Sequence, residues 1–361
     1  MDTSNNFLTV LYPVNSSEFQ RLPFGSASVP FYRQADAAAF RKLAPPQTTI
    51  LITDDQIAAV QAPLLDSYRT LIVPAGEDSK SLTTVGQLAD QLLQLGADRN
   101  TLLVGVGGGV ITDLTGFIAS VFMRGIPFAF VPTTVLAMVD AAWGGKNGIN
   151  LSRAKNMLGV IRQPQWVAHL PETLSTLLDA EWANGFAEII KYGCIAEPSI
   201  LELLEQHTLS EFRNQPSLLA NLVARCVAIK SAFVNEDETE TGIRRYLNFG
   251  HTLGHAIERL YQLPHGAAVG LGMLFAARFS TQVAGLPERL ESRLENLLQR
   301  YQLPIRQAIN INSVVAGMKA DKKRQSDTVL FVVLRQLGEA FTQSVSFEAL
   351  RTALQTDSRW Q

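Results

Sequence analysis

The chain has 361 residues, of which 47% are hydrophobic and 18% charged, and its net charge is −2. These values exclude a disordered chain and are typical of a globular protein long enough for two domains. The near-neutral charge also excludes a global basic field for nucleic acid or for an anionic membrane. A phosphorylated substrate would therefore have to meet a local cluster of cations.

The two cysteines, Cys194 and Cys226, lack the close spacing of a zinc or redox pair and lie in apolar helical patterns. We expect buried free thiols. Residues Met1–Tyr12 show no signal-peptide pattern, and Gly, Pro or charged residues interrupt the apolar runs before they reach the length of a membrane span. These features predict a cytoplasmic enzyme.

The first half of the chain alternates short apolar runs with helical patterns. Strands are predicted at Thr48–Thr53, Thr70–Val73, Thr101–Val106 and Phe128–Val131, with an amphipathic helix at Leu82–Leu95. This rhythm indicates a Rossmann-like parallel sheet with helices on its faces. The first forty residues carry only a weak signal, for a hairpin or for edge strands.

The second half reads as mostly helical. Helices are predicted at Asp179–Ala196, Ser199–His207, Pro216–Val234, Thr252–Tyr261, Ala267–Val283 and Pro287–Tyr301. The exception is Thr328–Leu334, which predicts a short strand or a hairpin. We therefore expect an α/β domain at residues 1–178 and a helical domain at residues 179–361, with the active site in the cleft between them.

A glycine loop follows the third predicted strand and opens a helix. Gly107, Gly108 and Gly109 would let the backbone approach an anion, and the helix N-terminus offers free N–H groups. Pyrophosphate is the expected guest, although the spacing differs from the dinucleotide fingerprint. The alternative is a tight turn that needs positive φ, for which one glycine would suffice.

Two other strand ends carry polar residues, which is where open α/β sheets bind ligands. Glu77 and Lys80 follow the strand at Thr70–Val73, and Glu77 is suited to hydrogen-bond ribose hydroxyls. Thr133 and Thr134 follow the strand at Phe128–Val131. Each of these segments, taken alone, is also typical of an ordinary polar loop.

Three of the five histidines lie within fifteen residues. His251 and His255 are four apart and would share one helical face, with His265 close by in a loop. This spacing suits zinc, although a packed pair of histidines explains His251 and His255 equally well. Glu258, on the same face, and Glu188, on an otherwise apolar helix with Lys191, are the alternative carboxylate ligands, and physical reasoning leaves both open.

Several cations lie in apolar or glycine-rich contexts that contain few acidic residues. Such a set suits a substrate that carries both a phosphate and a carboxylate. The candidates are Arg124, Lys146, Lys155, Lys191, Lys230, Arg244, Arg245, Lys322 and Lys323.

From about Pro74 to Lys323 the chain resembles the 3-dehydroquinate synthase family of sugar phosphate cyclases. The densest match is Leu247–Glu258, and further matches lie at Gly107–Phe117, Met123–Pro127, Val131–Thr134, Asp140–Asn150, Lys155–Asn156, Gly185–Gly193, Arg244–Tyr246, His265–Gly266 and Asp321–Lys323. The resemblance implies a lyase of the shikimate pathway that leads to chorismate and the aromatic amino acids. Its substrate would be 3-deoxy-D-arabino-heptulosonate 7-phosphate, and its products 3-dehydroquinate and phosphate.

The resemblance also implies NAD and a divalent metal, zinc or cobalt, in a homodimer. Its implied metal ligands are Glu188, His251 and His265, which would settle the carboxylate question. Its implied NAD contacts are Asp54, Glu77, Lys80, Gly107, Gly108, Gly109, Asp113, Thr133, Thr134 and Lys155. The phosphate would be bound by Asn156, Lys191, Asn248, His255 and Lys322, together with Arg124 from a second subunit. The carboxylate would be bound by Lys230 and Arg244. The ring hydroxyls would be oriented by Asp140 and Lys146.

Three departures from the family pattern leave the exact substrate open. Ala267 replaces a glutamate that usually follows His-Gly, which predicts weaker metal affinity. The segment Ala141–Trp143 replaces a hydroxyl-rich one and places a bulky Trp143 beside the substrate, and Asn147 replaces a usual Thr. The alternatives are a sister cyclase acting on sedoheptulose 7-phosphate, glucose 6-phosphate or an amino analogue, a metal-dependent polyol dehydrogenase, and a non-catalytic relative.

Overall fold

A computed structural model describes residues 19–151, 154–321 and 327–360. The chain divides into two compact units. Among the described residues, the sheet unit contains residues 19–151, 154–178 and 223–238, and the helical unit contains residues 179–222, 239–321 and 327–360. The long helix Pro216–Glu236 begins in the helical unit and ends in the sheet unit.

The elements of the sheet unit follow in chain order as β1 (Phe19–Phe24), β2 (Ala27–Tyr32), α1 (Ala37–Leu43), β3 (Thr49–Asp54), α2 (Asp55–Val60), α3 (Ala62–Leu65), β4 (Arg69–Val73), α4 (Leu82–Gln94), β5 (Leu102–Gly107), α5 (Gly109–Val121), β6 (Phe128–Pro132), β7 (Lys146–Leu151), β8 (Ala154–Ile161) and β9 (Val167–Ala168). Seven strands form one sheet in the order β1-β2-β9-β6-β5-β3-β4. All its neighbours pair in parallel except β1 and β2, which form an antiparallel hairpin at one edge.

The central strands are buried along almost their whole length. Every residue of β5 and β6, and all but the last of β3, is buried. Strands covered on both faces need continuous apolar runs, which is why the sequence predicted them clearly. The predicted parallel sheet with flanking helices is confirmed.

A second hairpin, β7 and β8, lies against α5 and was not predicted. Asn147 fixes its base, because its buried amide Nδ2 donates to the carbonyl oxygens of Gly145 at 2.8 Å and Arg162 at 2.9 Å. Asn147 also packs onto Gly116 of α5, where any Cβ would overlap it. The Asn that replaces a usual Thr therefore serves the packing of this hairpin.

Trp143, which we expected beside the substrate, packs inside the sheet unit. Its side chain is buried, with its indole Nε1 donating to the Met138 carbonyl at 2.8 Å. Its ring stacks on Phe24 at 5.6 Å and meets the edge of Phe31 at 4.9 Å. Trp143 thus belongs to the core of the sheet unit.

The remaining elements are α6 (Asp179–Ile195), α7 (Ser199–Gln206), α8 (Leu209–Asn214), α9 (Pro216–Glu236), α10 (His251–Tyr261), α11 (His265–Ala284), α12 (Glu288–Arg300), α13 (Ile311–Asp321), β10 (Thr328–Gln336), β11 (Glu339–Ser346) and α14 (Phe347–Gln355). The predicted helices are all present, with ends shifted by a few residues. The run at Thr328–Leu334 forms the first strand of an antiparallel hairpin with β11. An α/β unit with a mostly helical one confirms the predicted fold class.

Two helices, α9 and α11, have the length and hydropathy of a membrane span, contrary to the expectation that no run reaches that length. Within each, 67% of the most apolar window is buried inside the protein. Packing therefore accounts for their apolar character. Cys194 and Cys226 are buried free thiols, as predicted.

Candidate active site

Close packing of α10 against α11 brings two of the histidines together. A Cβ on Gly272 of α11 would overlap the carbonyl oxygen of Gly250, and one on Gly254 would lie 3.0 Å from the Ala268 carbonyl oxygen. Gly250 has φ +81°, which glycine adopts at little cost. Because these positions lack side chains, the two helices approach closely enough for His251 and His265, their first residues, to face each other.

We expect Gly272→Ala to lower the free energy of unfolding by about 1–3 kcal/mol, because the added methyl group has no space beside Gly250. The same substitution at Gly86, inside α4, is the matched control. A Cβ there meets nothing within 4 Å, so Gly86→Ala should raise stability by up to about 1 kcal/mol. Thermal unfolding followed by circular dichroism measures both, and equal melting temperatures would contradict the packing argument.

A third helix, α6, supplies the carboxylate. The backbone of Asn184 packs against Gly266, leaving no space for a Cβ, and the Asn184 side chain accepts a hydrogen bond from the Gly266 N–H. Glu188 lies one turn further along α6 and is fully buried. This docking explains why glycine follows His265 and why Glu188 meets the histidine pair.

Glu188, His251 and His265 converge on one point. Glu188 Oε1 lies 3.4 Å from His251 Nε2 and 3.2 Å from His265 Nε2, and the three ligand atoms all lie within 4.8 Å of one another. A tetrahedral zinc ion with bonds near 2.1 Å holds its ligand atoms about 3.4 Å apart. The spacing and the donor set therefore fit a divalent cation.

The protonation states of this cluster also favour a cation. Burial acts to raise the pKa of Glu188, but the Lys191 ammonium outweighs this effect and holds the pKa well below its ordinary 4.5. Burial lowers the pKa of His251 to about 4. Burial also acts to lower the pKa of His265, but hydrogen bonds to Glu188 and Glu258 outweigh this effect and raise it to about 10. A metal ion bound here would replace the His265 proton as the positive charge beside two carboxylates.

A backbone contact orients His251. Its Nδ1 lies 3.2 Å from the Phe249 carbonyl oxygen, which can only accept, so Nδ1 carries a proton in this contact. The ring of a neutral His251 then presents its Nε2 lone pair towards Glu188 Oε1. This is the usual arrangement for a histidine that ligates a metal through Nε2.

Other predicted residues of the helical unit lie beside this cluster or just before α10 in the chain. Lys191 is buried and pairs with Glu188 Oε2, one turn back along α6. The His255 ring centroid lies 5.2 Å from that of His251 and 6.2 Å from that of His265. Arg244 and Asn248 lie in a short 3-10 segment, Ile243–Asn248, just before α10, with Arg244 only 2% exposed.

Sequence reasoning missed one acidic residue in this region. Glu240 Oε1 accepts a hydrogen bond from Asn248 Nδ2 at 2.5 Å and fixes that amide. The two residues are separated by a turn and a 3-10 segment, so no helical or strand period relates them. Only the folded structure shows that they meet.

The glycine loop of the sheet unit fits a pyrophosphate. Helix α5 begins at Gly109 after the N-cap Gly108, and no described side chain caps its first N–H groups. None of the three glycines has a positive φ, which excludes the tight-turn explanation. A Cβ on Gly107 would instead lie 2.6 Å from Ile111, and Cβ atoms on Gly108 and Gly109 would crowd Thr134 and Ala141 at 3.2 and 3.3 Å. The uncapped helix start and the bare loop suit a dinucleotide's phosphates.

Polar residues from the strand ends form a network around Lys80. The buried Lys80 ammonium donates to Asp113 Oδ2 at 2.8 Å and to Asn156 Oδ1 at 2.6 Å. Burial acts to lower the pKa of Lys80, but the charges of Asp113 and Glu77 outweigh it and raise this pKa. Asn150, which sequence reasoning did not single out, donates to Glu77 Oε1 at 2.8 Å.

A second ion pair joins Asp140 to Lys230. The Lys230 ammonium donates to the carboxylate Oδ1 and to the backbone carbonyl of Asp140, both at 2.6 Å. Asp140 lies in a π-helical turn, Ala137–Ala141, and such turns are frequent at functional sites. Two residues assigned to different parts of the substrate are thus brought into contact.

The other predicted residues of the sheet unit make local backbone hydrogen bonds or lie on the surface. Asp54 Oδ1 caps α2 by accepting from the Ile57 N–H at 2.8 Å, and Thr134 Oγ1 accepts from the Ala137 N–H. Thr133 is buried beside the glycine loop, where its N–H donates to the Gly107 carbonyl. Arg124, Lys146 and Lys155 are exposed, whereas Lys322 lies outside the described residues.

Known proteins resemble this chain along most of its length. The family model for the 3-dehydroquinate synthase N-terminal region matches residues 70–184, and the model for the C-terminal region of the same synthase matches residues 185–324. A curated 3-dehydroquinate synthase from Pelobacter propionicus is 41% identical over 300 residues, which cover 81% of this chain and 84% of the relative.

Solved structures share the architecture. A 2-deoxy-scyllo-inosose synthase complexed with carbaglucose-6-phosphate, NAD+ and Co2+ has a TM-score of 0.83 at 25% identity, covering 93% of this chain and 98% of the other. A 2-epi-5-epi-valiolone synthase from Streptomyces hygroscopicus, with NAD+ and Zn2+ bound, has a TM-score of 0.83 at 24% identity, covering 92% and 97% of the two chains. At this lower identity, the similarity to the valiolone synthase shows a shared fold.

Proposed function

Because this chain belongs to the 3-dehydroquinate synthase family, we propose that it is a lyase that converts 3-deoxy-D-arabino-heptulosonate 7-phosphate into 3-dehydroquinate and phosphate. It uses NAD and a divalent metal, zinc or cobalt, and serves the shikimate pathway. The observation that carries the proposal is the convergence of Glu188 Oε1 with the Nε2 atoms of His251 and His265.

When bound, the metal supplies a Lewis acid and NAD a hydride acceptor that is restored within each turnover. Glu188, His251 and His265 would hold the metal. The uncapped start of α5 after Gly108 would hold the pyrophosphate of NAD, with Glu77 and the Lys80–Asp113 pair beside it.

The remaining polar residues would hold and activate the substrate. Lys191, Asn248 and His255 lie near the metal ligands and would bind the leaving phosphate, as would Asn156 and Lys322. His255 would also move the proton whose loss accompanies phosphate elimination. Arg244 and Lys230 would bind the carboxylate, and Asp140 and Lys146 would orient ring hydroxyls.

We further propose a homodimer in which Arg124 acts in the partner's site. Arg124 is exposed at the end of a 3-10 turn that follows α5. Val121 and Ile161 are each 48% exposed on α5 and β8, which pack together. Apolar side chains beside an exposed arginine are typical of a protein interface. Sedimentation equilibrium measures the state, and a monomer at micromolar concentration would exclude this role.

The activity is tested by incubating the protein with NAD, zinc and a panel of six- and seven-carbon sugar phosphates. We expect phosphate release and a carbocyclic product to be by far fastest with the heptulosonate phosphate, without net NADH. Faster turnover of sedoheptulose 7-phosphate or glucose 6-phosphate would identify a sister cyclase. Net NADH formation from an unphosphorylated polyol would identify a dehydrogenase.

A further inference from the structure

We propose that Glu258 is a positioning residue that holds His265 as a metal ligand. This inference rests on the proposed metal site. Glu258 Oε2 lies 3.1 Å from His265 Nδ1, while Nε2 of the same ring lies 3.2 Å from Glu188 Oε1. The imidazole thus lies between two carboxylates, one on each nitrogen.

The helix that carries Glu258 also carries His251 and His255. Positions 251, 255 and 258 follow the i, i+4, i+7 pattern, so His251, His255 and Glu258 share one face of α10. The Glu258 side chain is only 15% exposed. One packed helix therefore supplies a metal ligand at its start and the orienting carboxylate two turns later.

The contact fixes which nitrogen of His265 faces the metal ligands. A carboxylate that accepts from Nδ1–H keeps the proton on Nδ1 and the lone pair on Nε2, and it increases the basicity of the ring. The Ala267 side chain is buried on α11 and accepts no hydrogen bond, so the carboxylate that orients His265 is Glu258.

A different use of the same residues is a second metal ion. Ligand atoms of His255, Glu258 and His265 also lie within 4.8 Å of one another. Such an ion would have to bind His265 Nδ1 after displacing its proton, while Nε2 holds the first ion. Because that requires an imidazolate bridge, the geometry favours the hydrogen bond and one ion per chain.

The test is the zinc affinity of the full-length protein, measured by competition with a chromophoric chelator. We expect Glu258→Ala to weaken zinc binding about 10–100-fold. Glu258→Gln should weaken it less, because its amide oxygen still accepts from Nδ1–H. Glu288→Gln, an exposed change on α12, is the matched control and should leave the affinity unchanged. The cobalt-substituted Glu258→Ala protein should also show a shifted visible spectrum.

Unchanged zinc affinity and an unchanged cobalt spectrum in Glu258→Ala would overturn the proposal. So would two zinc ions per wild-type chain that fall to one in this variant, because Glu258 would then be a ligand. The melting temperature of the metal-free variants separates these results from misfolding. Since binding is read without turnover, absence of cyclase activity would refute the proposed function and leave this test intact.

Discussion

His251→Ala is expected to reduce phosphate release by about a thousand-fold or more and to remove tightly bound zinc. Its Nε2 is one of three atoms that converge within 4.8 Å, and two remaining ligands hold a divalent ion poorly. Loss of a Lewis acid worth several kcal/mol corresponds to a rate loss of this order. Metal content by mass spectrometry and phosphate release with saturating substrate measure the two effects.

Folding must be preserved for this result to have meaning. His251 has a low pKa and is neutral, so its removal leaves no buried charge without a partner. Glu188 differs, because its loss would leave the buried Lys191 without its carboxylate, at a cost of about 3–5 kcal/mol. A Glu188→Gln, Lys191→Met double variant avoids that cost and should likewise bind no zinc. Normal turnover by either variant would refute the metal site.

The sequence predicted the fold where burial dictates composition. Strands β3, β5 and β6 are buried on both faces and are therefore rich in apolar residues, which makes them conspicuous. The β7–β8 hairpin gave no such signal because its strands mix polar and apolar residues and are partly exposed. Its place depends on Asn147 packing against Gly116, a contact between distant residues that no local pattern encodes. The functional division at residues 1–178 and 179–361 stays a prediction.

The site was predictable in part for a similar reason. His251 and His255 share a helix, so their spacing carried information, whereas Glu188 is joined to them only by the packing of α6 against α11. Physical reasoning had to treat Glu188 and Glu258 as rivals. In the structure the two carboxylates make different contacts. Glu188 Oε1 faces the Nε2 atoms of His251 and His265, and Glu258 Oε2 faces Nδ1 of His265. The roles assigned to individual residues stay predictions.

Arg244→Ala is expected to lower kcat/KM for the carboxylated heptulosonate phosphate by about 30- to 1,000-fold, equivalent to about 2–4 kcal/mol. Arg244 is 2% exposed, so its guanidinium acts where water screens little. A buried arginine suits a carboxylate because its planar fork donates two parallel hydrogen bonds. Lys230 already donates to Asp140, so it can replace Arg244 only in part.

The decisive comparison is between substrates. Sedoheptulose 7-phosphate has no carboxylate, so Arg244→Ala should change its slow turnover far less, and the variant's preference between the two substrates should collapse. Arg289→Ala, an exposed change on α12, is the control for a general loss of arginine and should alter neither rate. Equal losses on both substrates would instead mean that Arg244 stabilises the 3-10 segment before α10 and does not bind the carboxylate. Carboxylate recognition would then have to come from another cation, and a sister cyclase would become the better assignment.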